Sequence, residues 1–238
     1  MKDRTLFNHP FSARYWLLAF REFTSLRMLL IAALLTACRI AVKALSIPIM
    51  PGLSVNFGFI FNAAGSMIYG PVVAVAASAV SDTLGAILFP KGAYFFPYIF
   101  AEIAGGVVFA LFYYRSHMET LRVILGYFSV MIIVNFILNP VIGYLSYLIH
   151  NPEQKEAYQF LALPKIITNL VLFPLKSFVL VLLFRLLLPI TNRFELTFTG
   201  TTNLKLTWKE VLWIIGLTVV SALALFGYYL YKTADKKL

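Results

Sequence analysis

The chain has 238 residues, of which 61% are hydrophobic and only 13% charged, with a mean hydropathy of +0.83. That is too apolar for a soluble domain of this length, and the long unbroken apolar runs are unlike the alternating segments of a β-barrel. A net charge of +10 would point to nucleic acid in a soluble protein; here basic cytoplasmic segments account for it, and no nucleic-acid partner is expected.

Residues 1–10 are polar, and no small-residue cleavage site follows a short apolar core, so no cleavable signal is expected. Residues 11–23 mix Phe11, Trp16, Leu17 and Phe20 with Arg14, Arg21 and Glu22, the pattern of a helix lying on the membrane surface. The first span is expected over 26–45. Residues 46–54, with Pro48 and Pro51, read as an apolar loop. A short second span covers 57–69 and ends at Gly70-Pro71; a third covers 72–89 and ends at Pro90. The fourth covers 94–114, before a charged turn over 115–122. The fifth covers 123–149 and contains Pro140, the loop 150–161 is polar, and the sixth span covers 163–188. A polar stretch over 191–207 precedes a seventh apolar segment over 211–231.

These elements divide the chain into an N-terminal interfacial segment (1–25), a six-helix membrane domain (26–190) and a linker with an extra apolar helix (191–238). The fold class is therefore all-α and polytopic. Lys and Arg crowd the inner segments when the N-terminus is cytoplasmic, which sets the orientation in the cell membrane. Only the seventh segment resists, since it would place Lys232, Lys236 and Lys237 outside.

Polar residues inside these spans carry the functional signal. Counting 1.5 Å per residue from the outer helix ends puts Arg39, Asp82, Glu102 and Asn169 roughly 9–12 Å below the outer surface, with Asn139 near 16 Å. Each such group costs roughly 2.5–3.5 kcal/mol on insertion scales, so they are expected to face one another or a polar ligand. Asp82 is either a ligand-binding carboxylate or half of an ion pair with Arg39, and Glu102 carries the same ambiguity. Lys43 shares a helix face with Arg39 and is expected to snorkel outward. Asn135 and Asn139 can repair the backbone gap left by Pro140. Lys176 lies near mid-membrane beside Pro174 and needs an acidic partner or water. The lone Cys38 and the scattered histidines have no metal-ligand spacing, and no nucleophile or phosphate-loop motif occurs. No catalytic residue, metal or cofactor is expected. Ala33, Ala37 and Ala41 form a small-residue row on which another helix can pack closely.

The run Val55-Asn-Phe-Gly-Phe-Ile-Phe-Asn62, the run Met67-Ile-Tyr-Gly-Pro71, and Asp82 followed by Phe-Pro-Lys-Gly-Ala-Tyr-Phe95 resemble the folate-specific, substrate-binding S components of energy-coupling factor transporters. The resemblance covers roughly residues 26–188. It implies a vitamin-binding subunit without its own ATPase. Such a subunit docks through the alanine row on a transmembrane coupling subunit driven by two cytoplasmic ATPases. For a folate, Asp82 or Glu102 would accept the paired donors of the pterin edge. Asn56, Asn139 and Asn169 would read other polar atoms, and Phe57, Tyr94, Phe95 and Tyr98 would flank the rings. Arg39, Lys43, Lys91 or Lys165 would meet the glutamate carboxylates. Three rivals stay open: an S component for another vitamin or heterocycle, a membrane enzyme using Asp82 and Glu102 as acid and base, and a ligand-free scaffold.

Overall fold

The computed structural model describes residues 5–45, 47–50, 53–90, 94–150, 163–201, 203–204 and 207–235. Helix α1 (Ala13–Phe23) meets α2 (Leu26–Ala44) at 79°, across a two-residue break. Helix α1 turns Tyr15, Leu18, Ala19 and Glu22 into the protein and leaves Leu17, Phe20, Arg14 and Arg21 exposed, as an interfacial helix requires. The stretch read as an apolar loop instead forms a two-stranded antiparallel ribbon, β1 (Ile47–Met50) and β2 (Leu53–Val55). Pro48 gave the wrong signal because both strands are edges, where a missing N–H is tolerated.

Helix α3 (Gly58–Leu88) is interrupted at Gly70, whose φ of 76° and ψ of −179° are open essentially to glycine alone. The break reverses the chain. Asn62 and Ser78 both lie against Gly106, although a straight helix would separate sixteen residues by about 24 Å. The two arms are thus antiparallel, and the reversal falls at the Gly70-Pro71 boundary between the second and third apolar runs of the sequence. Helix α4 (Tyr98–Tyr113) starts four residues later than the sequence reading, because 95–97 form a turn ahead of it. Helix α5 (Thr120–Val130), a π-helical segment (Met131–Leu138) and α6 (Asn139–His150) run on continuously. Helices α7 (Leu163–Arg193) and α8 (Trp208–Asp235) complete the chain. The result is a multi-pass helical membrane fold.

The core is aromatic. Phe109 stacks on Tyr113 and Tyr127, Tyr127 stacks on Phe173, and Phe184 meets Tyr113 edge-on at 4.8 Å. Met28, Met67, Leu180 and Leu188 fill the space around them.

The end of this core away from the β1–β2 ribbon is closed by the flanking segments. Pro71 has no N–H to return to the Met67 carbonyl four residues earlier. Thr197, beyond α7, supplies the missing donor: its Oγ1 donates to that carbonyl at 3.2 Å, and Thr197 is buried. Leu204 joins the core, Arg27 donates to the Phe194 carbonyl at 2.6 Å, and the Gly200 N–H meets the Ser116 carbonyl. From the other side, Glu22 of α1 pairs with buried Arg115 at 3.1 Å, and Tyr15 donates to the Ala110 carbonyl. Helix α8 packs on α7 alone among the described elements, and its apolar residues Leu212, Trp213, Leu217 and Val220 are exposed.

Thr197→Val removes the Oγ1 donor at constant shape and leaves a buried carbonyl unpaired, so thermal unfolding in detergent should show a loss of about 1–3 kcal/mol, with Thr197→Ser closer to wild type. Gly70→Ala should cost about 1–3 kcal/mol through its positive φ, before any contact with the Tyr114 ring is counted.

Candidate functional site

Three helices bring the charged residues together. In α2, buried Arg39 and Lys43 lie one turn apart on the inward face. Arg39 pairs with Glu102 of α4 and donates through Nη1 to Ser78 Oγ at 3.3 Å. Lys43 reaches Glu102 at 2.7 Å and Asp82 at 3.7 Å. Tyr94 donates its hydroxyl to Asp82 at 3.2 Å. One open alternative takes a definite form here, and one expectation changes. Arg39 pairs with Glu102 rather than Asp82, because α4 is held against both arms of α3 by Gly105 and Gly106. Lys43 turns inward rather than snorkelling, because two carboxylates within reach offset its desolvation.

These groups border a cavity of about 420 Å³, within the range of small-molecule pockets. Of the residues singled out from sequence, Arg39, Asn56, Asp82, Tyr98, Glu102 and Asn139 line it, and Lys43 joins them. Asn56 also accepts the Gly58 N–H at 2.6 Å, fixing the start of α3. Others sit elsewhere. Asn169 accepts from Asn135 Nδ2 at 2.9 Å, so it braces a wall residue. Phe57 packs on Phe59, Phe95 on Tyr98 and His150, and Tyr94 acts through its bond to Asp82. Lys91 lies outside the described residues, as does the side chain of Lys165.

The sequence reading missed Phe59, Asn62, Phe109, Tyr127 and Asn135 as wall residues, and gave Lys176 no partner. Asn62 and Phe59 were within reach, since they belong to the run that carries the resemblance. Asn135 sits in the π-helical segment. There the Asn139 N–H bonds to the Val134 carbonyl five residues back, ahead of Pro140, and Asn139 Nδ2 donates to Asn135 Oδ1 at 3.4 Å. Asn135 and Asn139 thus bond each other side chain to side chain across the irregular turn, and both line the cavity. The row Ala33, Ala37 and Ala41 lies on the opposite, exposed face of α2.

Apolar helices around a polar, aromatic-floored cavity define a membrane-embedded solute-binding protein. The chain belongs to the ECF-type riboflavin transporter S component family, whose model matches residues 23–187. It is similar to the folate transporter FolT of Clostridium novyi (strain NT), at 29% identity over 153 residues, which is 64% of this chain and 84% of that protein. It is also similar to the folate transporter FolT of Leuconostoc mesenteroides subsp. mesenteroides, at 26% identity over 52% of this chain and 66% of that one. Among solved structures it resembles the crystal structure of FolT bound with folic acid, with a TM-score of 0.56 and 26% identity, covering 65% of this chain and 89% of that one. Most of α1, the segment carrying Thr197 and all of α8 lie outside the family match.

Arg39→Ala strands Glu102 with Lys43 alone in a low-dielectric site, and thermal unfolding should report a loss of about 3–5 kcal/mol. The double variant Arg39→Ala, Glu102→Ala should recover at least 1 kcal/mol of that (roughly), the coupling a double-mutant cycle reads for groups in contact.

Proposed function

We propose that this protein is the substrate-binding subunit of a vitamin uptake transporter and that its ligand is folate or a reduced folate. The family description names riboflavin and the similar proteins name folate, so the cavity must decide. Its charge carries the decision. Arg39, Lys43 and Lys176 face Asp82 and Glu102 across the walls, a surplus of one cation. A folate brings carboxylates to such a site; riboflavin is neutral. The aromatic floor of Phe59, Phe109 and Tyr127 suits a flat ring, and the two carboxylates suit a ring edge carrying adjacent N–H donors.

The subunit performs no chemistry on its ligand and uses no cofactor. It works in the cell membrane with its N-terminus cytoplasmic, which matches the exposed arginines of α1 and the charged 115–122 turn on one side. A transmembrane coupling subunit and two cytoplasmic ATPases supply the energy. The coupling subunit docks on Ala33, Ala37 and Ala41, which α8 leaves uncovered because it packs on α7. The transport domain corresponds to residues 26–190, flanked by 1–25 and 191–238.

Equilibrium titration of the purified protein with folic acid, a reduced folate and riboflavin tests the ligand. Folates should bind and riboflavin should not; the reverse result rejects the proposal. Ala37→Leu should leave folate binding within about twofold of wild type and abolish ATP-dependent uptake in cells carrying the coupling module, as bulk on a small-residue seam keeps helices apart.

A further inference from the structure

Helix α1 has three faces rather than two. At about 100° per residue, its buried residues Tyr15, Leu18, Ala19 and Glu22 span an arc of about 100°. Exposed Trp16, Leu17, Phe20 and Phe23 fill a second arc of about 120°. Exposed Arg14 and Arg21, about 10 Å apart along the axis, share one remaining edge, about 160° round from Trp16 and Phe23. The helix has one carboxylate, Glu22, and that is buried against Arg115 at 3.1 Å. No exposed acid on α1 offsets the two arginines.

The helix is also held in a fixed orientation. Tyr15 donates to the Ala110 carbonyl at 3.1 Å and meets the Tyr114 ring edge-on, and the Phe7 N–H bonds to the Arg115 carbonyl. Helix α2, the first expected span, stands at 79° to α1, so α1 runs close to the membrane plane when α2 crosses it. The core therefore presents four large apolar side chains and two guanidinium groups to a membrane surface in set directions. The apolar arc needs only hydrocarbon. The arginine edge needs an anion.

We propose that the Arg14–Arg21 edge of α1 binds anionic phospholipid, so that this helix selects lipids by charge rather than merely resting on the bilayer. Trp16 and Phe23 enter the acyl region, Leu17 and Phe20 lie at the interface, and Arg14 and Arg21 stand at the level of the phosphates. A guanidinium donates two parallel N–H bonds to phosphate oxygens. A zwitterionic headgroup offers the same phosphate beside an ammonium that repels the guanidinium, so the net charge of the lipid sets the preference. One basic residue near an anionic surface is worth about fivefold in binding, and two should favour an anionic lipid by at least about tenfold. This lipid site is independent of the solute that the cavity takes.

The test follows the emission of Trp16 in the full-length protein. Trp208→Phe and Trp213→Phe, both at exposed positions of α8, leave Trp16 as the sole indole. The protein is reconstituted in vesicles of phosphatidylcholine and phosphatidylglycerol, with brominated acyl chains on one lipid or the other. Quenching by each at equal mole fraction gives their relative occupancy beside α1. Phosphatidylglycerol should be enriched by at least about tenfold. With Arg14→Gln and Arg21→Gln together the enrichment should fall to within about twofold, while both lipids still quench; Arg14→Lys with Arg21→Lys should keep most of it. A second measurement leaves both arginines in place: raising the salt to about 1 M, where the Debye length is about 3 Å, should lower the enrichment of the parent protein. Three results overturn the inference. Quenching by neither lipid means that the apolar arc does not face the bilayer. Equal quenching by both in the parent protein means that α1 lies on the membrane without selecting a headgroup. Enrichment that survives both the glutamine pair and high salt assigns the selection to other groups.

Discussion

A guanidinium cannot remain unpaired in hydrocarbon, and the pairing of Arg39 with Glu102 is the constraint from which the rest of the structure follows. It ties α2 to α4 at one level. Arg39 also reaches Ser78, so the second arm of α3 is fixed to the same point, and Gly106 is the place where that arm can come close enough. Lys43 extends the network to Asp82 one turn nearer the surface. Such networks are poor stabilisers, since apolar residues of similar volume often hold a protein together as well or better. Their value here is a wall of fixed charge in a site that water alone would otherwise have to solvate.

The segments outside the family match belong to the fold rather than trailing from it. Helix α1 buries Glu22 against Arg115, and the chain after α7 sends Thr197 to the carbonyl that Pro71 leaves open. Both act at the Gly70–Pro71 reversal, the place where the backbone of α3 cannot satisfy itself. The region of greatest backbone need is thus the region that the extensions grip. Helix α8 is different: it touches α7, turns apolar residues outward, and leaves the alanine face of α2 open.

Length and depth were legible in the sequence; rotation was not. Apolar runs bounded by Gly70-Pro71, Pro90 and the 115–122 turn located the spans, and counting residues from their ends brought Arg39, Asp82 and Glu102 to one level. The helices are apolar almost all round, so no polar stripe reveals which side faces inward. Asn169 has the right depth and the wrong rotation, and spends its carbonyl on Asn135. Phe59, Phe109 and Tyr127 could not be separated from other aromatics because apolar residues satisfy lipid and core equally. Lys43 looked like a headgroup ligand until the positions of two carboxylates were known. The Ile47–Val55 ribbon was hidden by its proline, which only a strand with no inner neighbour accepts.

The π-helical segment over Met131–Leu138 has one further consequence. A π turn holds one residue more than an α turn, and each residue rotates a helix by about 100°. Asn135 and Asn139 both face the cavity because that surplus residue is absorbed between them and the rest of the rod. Were this stretch to run as a regular α-helix with the same residues, the added rotation would swing Asn139 off the wall, while the length, hydropathy and charge of the span stayed the same; losing one codon together with the π turn would restore the register. Ligand selectivity in this cavity is therefore sensitive to register as well as to residue identity. Two chains with the same polar residues in helix five, offset by one position, would offer their ligands different walls.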